Sequence, residues 1–126
     1  MENKKEELES LISLFLPEGL LEYFTISKVE QLEGSINIHL EEGNIIPQEY
    51  INDKLTSKGF LDEIRIQDFP IRGKNVFLLV KRRRWLNETR GNLVMRNWEL
   101  VAKGTRMTKE FASFLKVISR YQGGKL

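Results

Sequence analysis

The most constraining stretch of this chain runs from Ile64 to about Ala102, where short strand-like segments follow one another between tight turns. Ile64-Arg65-Ile66-Gln67-Asp68-Phe69 has the period of two expected of a strand, because successive strand side chains point to opposite faces. Pro70-Ile71-Arg72-Gly73-Lys74 reads as a turn, since proline presets φ and glycine supplies the left-handed conformation. A second strand spans Asn75 to about Asn87. After a turn over Glu88 to Asn92, which contains Gly91, a third runs from Leu93 to Ala102. Three strands joined this closely predict an antiparallel meander.

Upstream, Leu8, Leu11, Ile12 and Phe15 recur at i, i+3, i+4 and i+7 within Lys5 to Leu16, the spacing of an amphipathic helix. Pro17 stops it, because the residue before a proline avoids helical backbone, and a short helical turn follows at Leu20 to Tyr23. Phe24 to Leu32 and Ser35 to Glu41 form a β-hairpin around Glu33-Gly34. Its second arm buries Ile36, Ile38 and Leu40 and turns His39 to the polar face as an exposed strand residue. Residues 42–59 show weak periodicity and scattered breakers, so they read as one long loop. The chain closes with an amphipathic helix over 107–122, whose stripe is Phe111, Phe114, Leu115, Ile118 and Tyr121, with Gly123-Gly124 as its stop. At 126 residues the whole is read as one α+β domain: a helical segment 1–23, a hairpin 24–41, a loop, a meander 64–102 and a C-terminal helix.

Composition removes most chemistry. No cysteine is present, which excludes disulfides, thiolate zinc sites, iron–sulfur clusters and cysteine nucleophiles, and one histidine excludes a His-rich metal site. No Walker or Rossmann glycine loop occurs, and the carboxylates define no two-metal or acid–base pair, so no enzyme activity, cofactor or metal is expected. Apolar runs are too short for a membrane span and the start Glu2-Asn3-Lys4-Lys5 is charged, which reads as a cytoplasmic protein.

Charge is distributed unevenly. Residues 1–70 carry 15 acidic and 6 basic side chains, net −9, whereas residues 71–126 carry 3 acidic and 14 basic, net +11. Such asymmetry points to a half that faces a polyanion. Its densest part is Lys81-Arg82-Arg83-Arg84-Trp85, which continues the apolar strand Val76-Phe77-Leu78-Leu79-Val80. Alternation sends Arg82 and Arg84 to one face and Lys81, Arg83 and Trp85 to the other. Burying either set unpaired is costly, so both faces are expected to reach water, acid or phosphate. Arginine suits phosphate through its planar two-pronged donor, and Trp85 offers a stacking surface. Arg72 and Lys74 lie at the opposite end of the same strand pair. On the last helix Lys109, Lys116 and Arg120 share a face, with Lys103 and Arg106 upstream, and extend the expected DNA-binding set. The competing reading is that the arginines pair with the acidic N-terminal half as a solvated ion network. Trp98 and Phe77 read as core residues.

From Ile64 to Ile118 the chain also resembles the N-terminal region of bacterial insertion-sequence transposases of the ISL3 type, in particular the ISAon1-like subgroup. The resemblance rests on Arg65-Ile66-Gln67-Asp68-Phe69-Pro70-Ile71-Arg72-Gly73-Lys74, on Val76-Phe77-Leu78 with Lys81-Arg82-Arg83-Arg84-Trp85, and on Arg106-Met107-Thr108 before Phe111 and Leu115. It implies a zinc-ribbon-like fold that has lost its metal. The family's cysteine pairs would fall after Leu40 and just after Trp85, where Asn87-Glu88-Thr89-Arg90 stands instead. It further implies an accessory region without catalytic residues, binding double-stranded DNA at terminal inverted repeats. The alternative is a module that docks onto a separately encoded catalytic transposase subunit.

Overall fold

The computed structural model describes residues 2–98 and 109–121. These form an α+β protein, with two helices and seven strands in two sheets. The chain divides into two compact units, Met1–Tyr23 with Asn97–Leu126, and Phe24–Arg96, which refines the one-domain reading drawn from length.

In the first unit, α1 spans Glu2–Ser13 and α2 spans Lys109–Arg120. The tightening of the chain after α1 is visible in the Leu14 and Phe15 amides, which donate to the Leu11 and Ile12 carbonyls at 3.1 and 2.9 Å. A 3-10 turn over Leu20–Glu22 follows, as the spacing predicts. Phe111, Phe114, Leu115 and Ile118 of α2 are buried with Leu16, Leu20 and Trp98, while Tyr121 at the end of the stripe is exposed. Tyr23 meets Trp98 edge-on at 5.4 Å and stacks on Phe111 at 6.2 Å. Gly19 has φ 86°, and a Cβ there would stand 3.0 Å from the Phe111 ring, so conformation and space both demand glycine. The stripe on α1 and the turn after it behaves differently. Leu8, Leu11, Ile12 and Phe15 are all exposed. Periodicity says which side chains share a face; whether a neighbour covers that face is a property of the tertiary structure.

The second unit contains β1 (Phe24–Leu32), β2 (Ser35–Glu42), β3 (Leu55–Phe60), β4 (Ile64–Ile71), β5 (Lys74–Lys81), β6 (Arg83–Asn87) and β7 (Asn92–Met95). The hairpin forms where expected, around Glu33 and Gly34. β1, β2, β5 and β4 make one sheet in that order, with β2 and β5 parallel and the other pairs antiparallel. The parallel pairing matches Ile36 with Val76, Ile38 with Leu78 and Leu40 with Val80, so two apolar rows meet side by side. β3, β6 and β7 make a second, antiparallel sheet.

Four expectations are corrected here. The region read as a loop over 42–59 holds β3, whose weak alternation is compensated by its ladder with β6. The long strand expected from Asn75 to Asn87 breaks at Arg82: β5 pairs in the first sheet and β6 in the second. The meander is therefore divided, and the partner that joins β5 from the hairpin side is β2, far away in sequence. Parallel pairing requires a long crossover, here running through β3 and β4, which turn signals between neighbours cannot announce. The last strand stops at Met95 instead of reaching Ala102, whose surroundings lie outside the described residues.

Leu78 is fully buried at the centre of the first sheet, so Leu78→Ala is expected to lower stability by about 3 kcal/mol. Leu11→Gln on the exposed face of α1 should change it by less than about 0.5 kcal/mol. Urea unfolding followed by circular dichroism measures both, and similar losses would contradict this assignment of core and surface.

Candidate nucleic-acid interface

Strand parity decides the fate of the basic run. Val76, Leu78 and Val80 point inward from β5, and Arg82 has the same parity. On β2 the matching row is Ile36, Ile38, Leu40 and then Glu42. The parallel register that sets Leu40 beside Val80 thus continues into a carboxylate and a guanidinium, both buried: Glu42 is 1% exposed and Arg82 2%. Glu42 accepts a hydrogen bond from the Arg83 backbone amide at 3.0 Å and one from Arg96 Nε at 3.2 Å. Arg96 also donates to the Ile45 carbonyl at 2.6 Å. Arg82 keeps Nε and Nη1 without a hydrogen-bond partner. Burial pushes the Glu42 carboxyl up to about 7, against the pull of the Arg83 amide and the Arg96 guanidinium, which lowers it.

Most of the expected DNA-binding strand is consequently structural. Arg82 is buried, contrary to the expectation that both faces of the run reach solvent. Arg83 donates Nε to the Glu42 carbonyl at 3.0 Å, bonds the Ser57 hydroxyl through Nη1, and sits 4.8 Å from the Phe60 ring. Trp85 is 0% exposed and donates Nε1–H to Asn44 Oδ1 at 2.8 Å, so it offers no stacking surface. Arg84 is half-buried and donates to the Lys58 carbonyl at 3.0 Å, where the β3–β6 ladder shifts register. Lys81 is half-buried beside Glu41 in the β2–β5 register. The competing reading of a solvated ion network meets the structure only in part: Glu42 of the acidic half bonds Arg83, but its salt bridge is with Arg96, outside the run, and the group is buried. A second polar knot holds the turn after β6: Asp53 accepts from Asn87 Nδ2 at 2.8 Å and Arg90 Nε at 3.0 Å, which keeps its carboxyl below the usual range.

The remaining cations are dispersed. Arg72 and Lys74 come together at the β4–β5 turn, Arg72 exposed and Lys74 half-buried. Seven residues of strand, about 23 Å, separate Lys74 from Lys81. Lys116 and Arg120 are exposed at i and i+4 on α2, in the other unit. Lys109 opens α2, but its side chain lies outside the described residues, as do Lys103 and Arg106. Among the described residues, Arg72, Lys74, Lys81, Arg84, Lys116 and Arg120 make no salt bridge, whereas Lys28, Lys54, Arg90 and Arg96 do.

The turn itself is unusual. Arg72 has φ 53° and Gly73 φ 78°, a pair of left-handed residues between Ile71 and Lys74, as in a two-residue hairpin loop. Asn, Asp or Gly suits the first of these positions; an arginine there carries backbone strain of about 1 kcal/mol. His39, read as an exposed strand residue, is instead half-buried, with Nε2 2.7 Å from Glu30 and Nδ1 3.5 Å from Glu63. Phe77 lies half-buried under Arg65, whose guanidinium carbon is 3.6 Å from the ring centre.

Sequence reasoning missed Glu42, Arg82 and Arg96 as a buried group. The signal was present in parity, since Glu42 and Arg82 each extend an alternating apolar row by one step. Burial raises the Glu42 pKa, so the folded chain holds a proton that the unfolded chain has released between about pH 4.5 and pH 7. Stability from this group is accordingly present below pH 4.5 and is lost as pH rises through 7. Urea unfolding across that range should show the decline in the wild type and its absence in Glu42→Gln; equal slopes would refute it. Glu30, Asp53 and Glu88, whose pKa values are lowered, act at more acid pH and leave this window clear.

Comparison with known proteins finds no matching family model, no matching curated protein and no matching solved structure.

Proposed function

We propose that this chain binds double-stranded DNA through its phosphate backbone, with the β4–β5 turn as the leading contact. The observation that carries this reading is Arg72. It is exposed, makes no salt bridge among the described residues, and occupies a left-handed position where asparagine, aspartate or glycine would relieve strain. Strained residues in stable folds concentrate where function requires the side chain. Lys74 adds a second cation beside it, and the half from residue 71 onward keeps its large basic excess. Lys81, Arg84, Lys116 and Arg120, which make no salt bridge among the described residues, add positive charge elsewhere on the chain. Phosphate contacts of this kind position a protein without reading sequence.

The sequence resemblance to transposase N-terminal regions supports terminal inverted repeats of an insertion sequence as the duplex to offer first. A second reading, docking onto a separately encoded catalytic transposase subunit, is favoured by the exposed Leu8, Leu11 and Ile12 of α1 and Phe15 just after it, with Glu6, Glu7 and Glu9 alongside.

Fluorescence anisotropy of a labelled duplex over a salt series tests the leading reading. Wild type should bind with a steep salt dependence. Arg72→Asn should weaken binding to all sequences and reduce the salt slope by about one, while raising stability by about 1 kcal/mol through relief of strain. Unchanged affinity would remove the turn from the interface. Absence of binding by the wild type at low salt would overturn the reading altogether.

A further inference from the structure

The same turn carries a feature that phosphate binding does not use. Between the pairs Asp68–Val76 and Ile71–Lys74, two residues of β4, Phe69 and Pro70, face one residue of β5, Asn75. This is a β-bulge, and bulges re-aim side chains. Here the side chain is an aromatic: Phe69 is 74% exposed, next to a proline that is exposed as well. The tip is braced, because the Asn75 amide donates to the Gly34 carbonyl of the neighbouring hairpin turn at 3.1 Å. Arg72 and Lys74 stand three and five residues beyond Phe69, and Glu33 on the adjacent turn is exposed too.

We infer that Phe69 is a wedge that enters a base step of duplex DNA and unstacks it while Arg72 and Lys74 hold the flanking phosphates. The inference rests on the DNA-binding reading above and deepens it. An apolar ring carried on a braced, bulged hairpin suits partial unstacking, since the backbone that presents it need not be ordered at the moment of insertion. The cations beside it favour an anionic polymer over an apolar protein surface. Insertion kinks the duplex, and steps that unstack readily, such as TA, are preferred. Phe69 thereby supplies a preference through deformability that the backbone contacts lack.

The full chain is tested on a duplex with 2-aminopurine at a central TA step and a fluorophore at each end. Binding of the wild type should raise 2-aminopurine fluorescence and shorten the end-to-end distance by energy transfer. Phe69→Ala should bind with most of its affinity retained and lose both signals. Because Phe69 is exposed, this variant should keep the wild-type circular dichroism and unfolding midpoint. Arg72→Ala should lose affinity but give the full fluorescence rise at saturation. Wild-type binding without a rise, or an equal rise with Phe69→Ala, overturns the wedge and leaves backbone binding intact. No duplex binding at low salt overturns both readings. Phe69-dependent binding to phosphatidylserine vesicles in place of DNA would also overturn them and assign the tip to a lipid surface.

Discussion

Glu42 is a carboxylate set in the row that Ile36, Ile38 and Leu40 begin, so β2 cannot bury its inner face without also burying a charge. A buried carboxylate is tolerated only with donors around it. The chain brings them from two later segments: the Arg83 amide at the start of β6 and the Arg96 side chain just beyond β7. Both bonds also fix pairing. A one-residue slip of β2 against β5 would bring Glu42 out and put Glu41 in its place, while Ile38 and Leu40 moved to the outer face. Such a group contributes uniqueness more than stability, since burial holds its pKa near 7 against the attraction of the arginines.

This arrangement changes what the basic run means. Three of the five residues in Lys81-Arg82-Arg83-Arg84-Trp85 serve the fold: one as a buried guanidinium, one bridging Glu42 and Ser57, and one as a buried indole. The break at Arg82 passes the chain from one sheet to the other, so charge density at that point accompanies a change of partner strand. Arg72 and Lys74 lie outside the run at the β4–β5 turn and make no salt bridge among the described residues, and the more exposed of the two is also the strained one. Surface charge and backbone strain coincide there, next to a bulge that exposes an aromatic ring. Structural need accounts for Arg83 and Arg96; it gives no reason for Arg72.

Local features were legible before the structure. The hairpin at Glu33-Gly34, the turn read over Pro70–Lys74 (which narrows to Arg72-Gly73), the turn at Gly91, the 3-10 turn after Pro17 and the apolar stripe of α2 follow from spacing and from turn-forming residues, because each is settled within a few residues of chain. β3 was not legible. Leu55 to Phe60 has little hydrophobic alternation, includes Gly59 at φ 76°, and becomes a strand because β6 offers it a ladder. The basic interface was only half legible: sequence marks Arg72 and Lys74 as cations at a turn, yet it marks Arg82 and Arg83 in the same way.

Sequence by itself determined the α+β class, the alternation of β2 and the apolar run of β5 that make them strands, the turns that bound them, and the concentration of positive charge after residue 70. Those properties depend on neighbours in the chain. The tertiary structure alone decided that β2 lies parallel to β5, that the strand divides at Arg82, that α1 leaves its apolar stripe exposed, and that Trp85 is core. Each of these depends on which distant segment arrives to satisfy a backbone edge, a buried charge or an apolar face. An arginine beside a carboxylate in the sheet interior and an arginine at a solvent-facing turn are the same letter in the sequence; packing gives them different work.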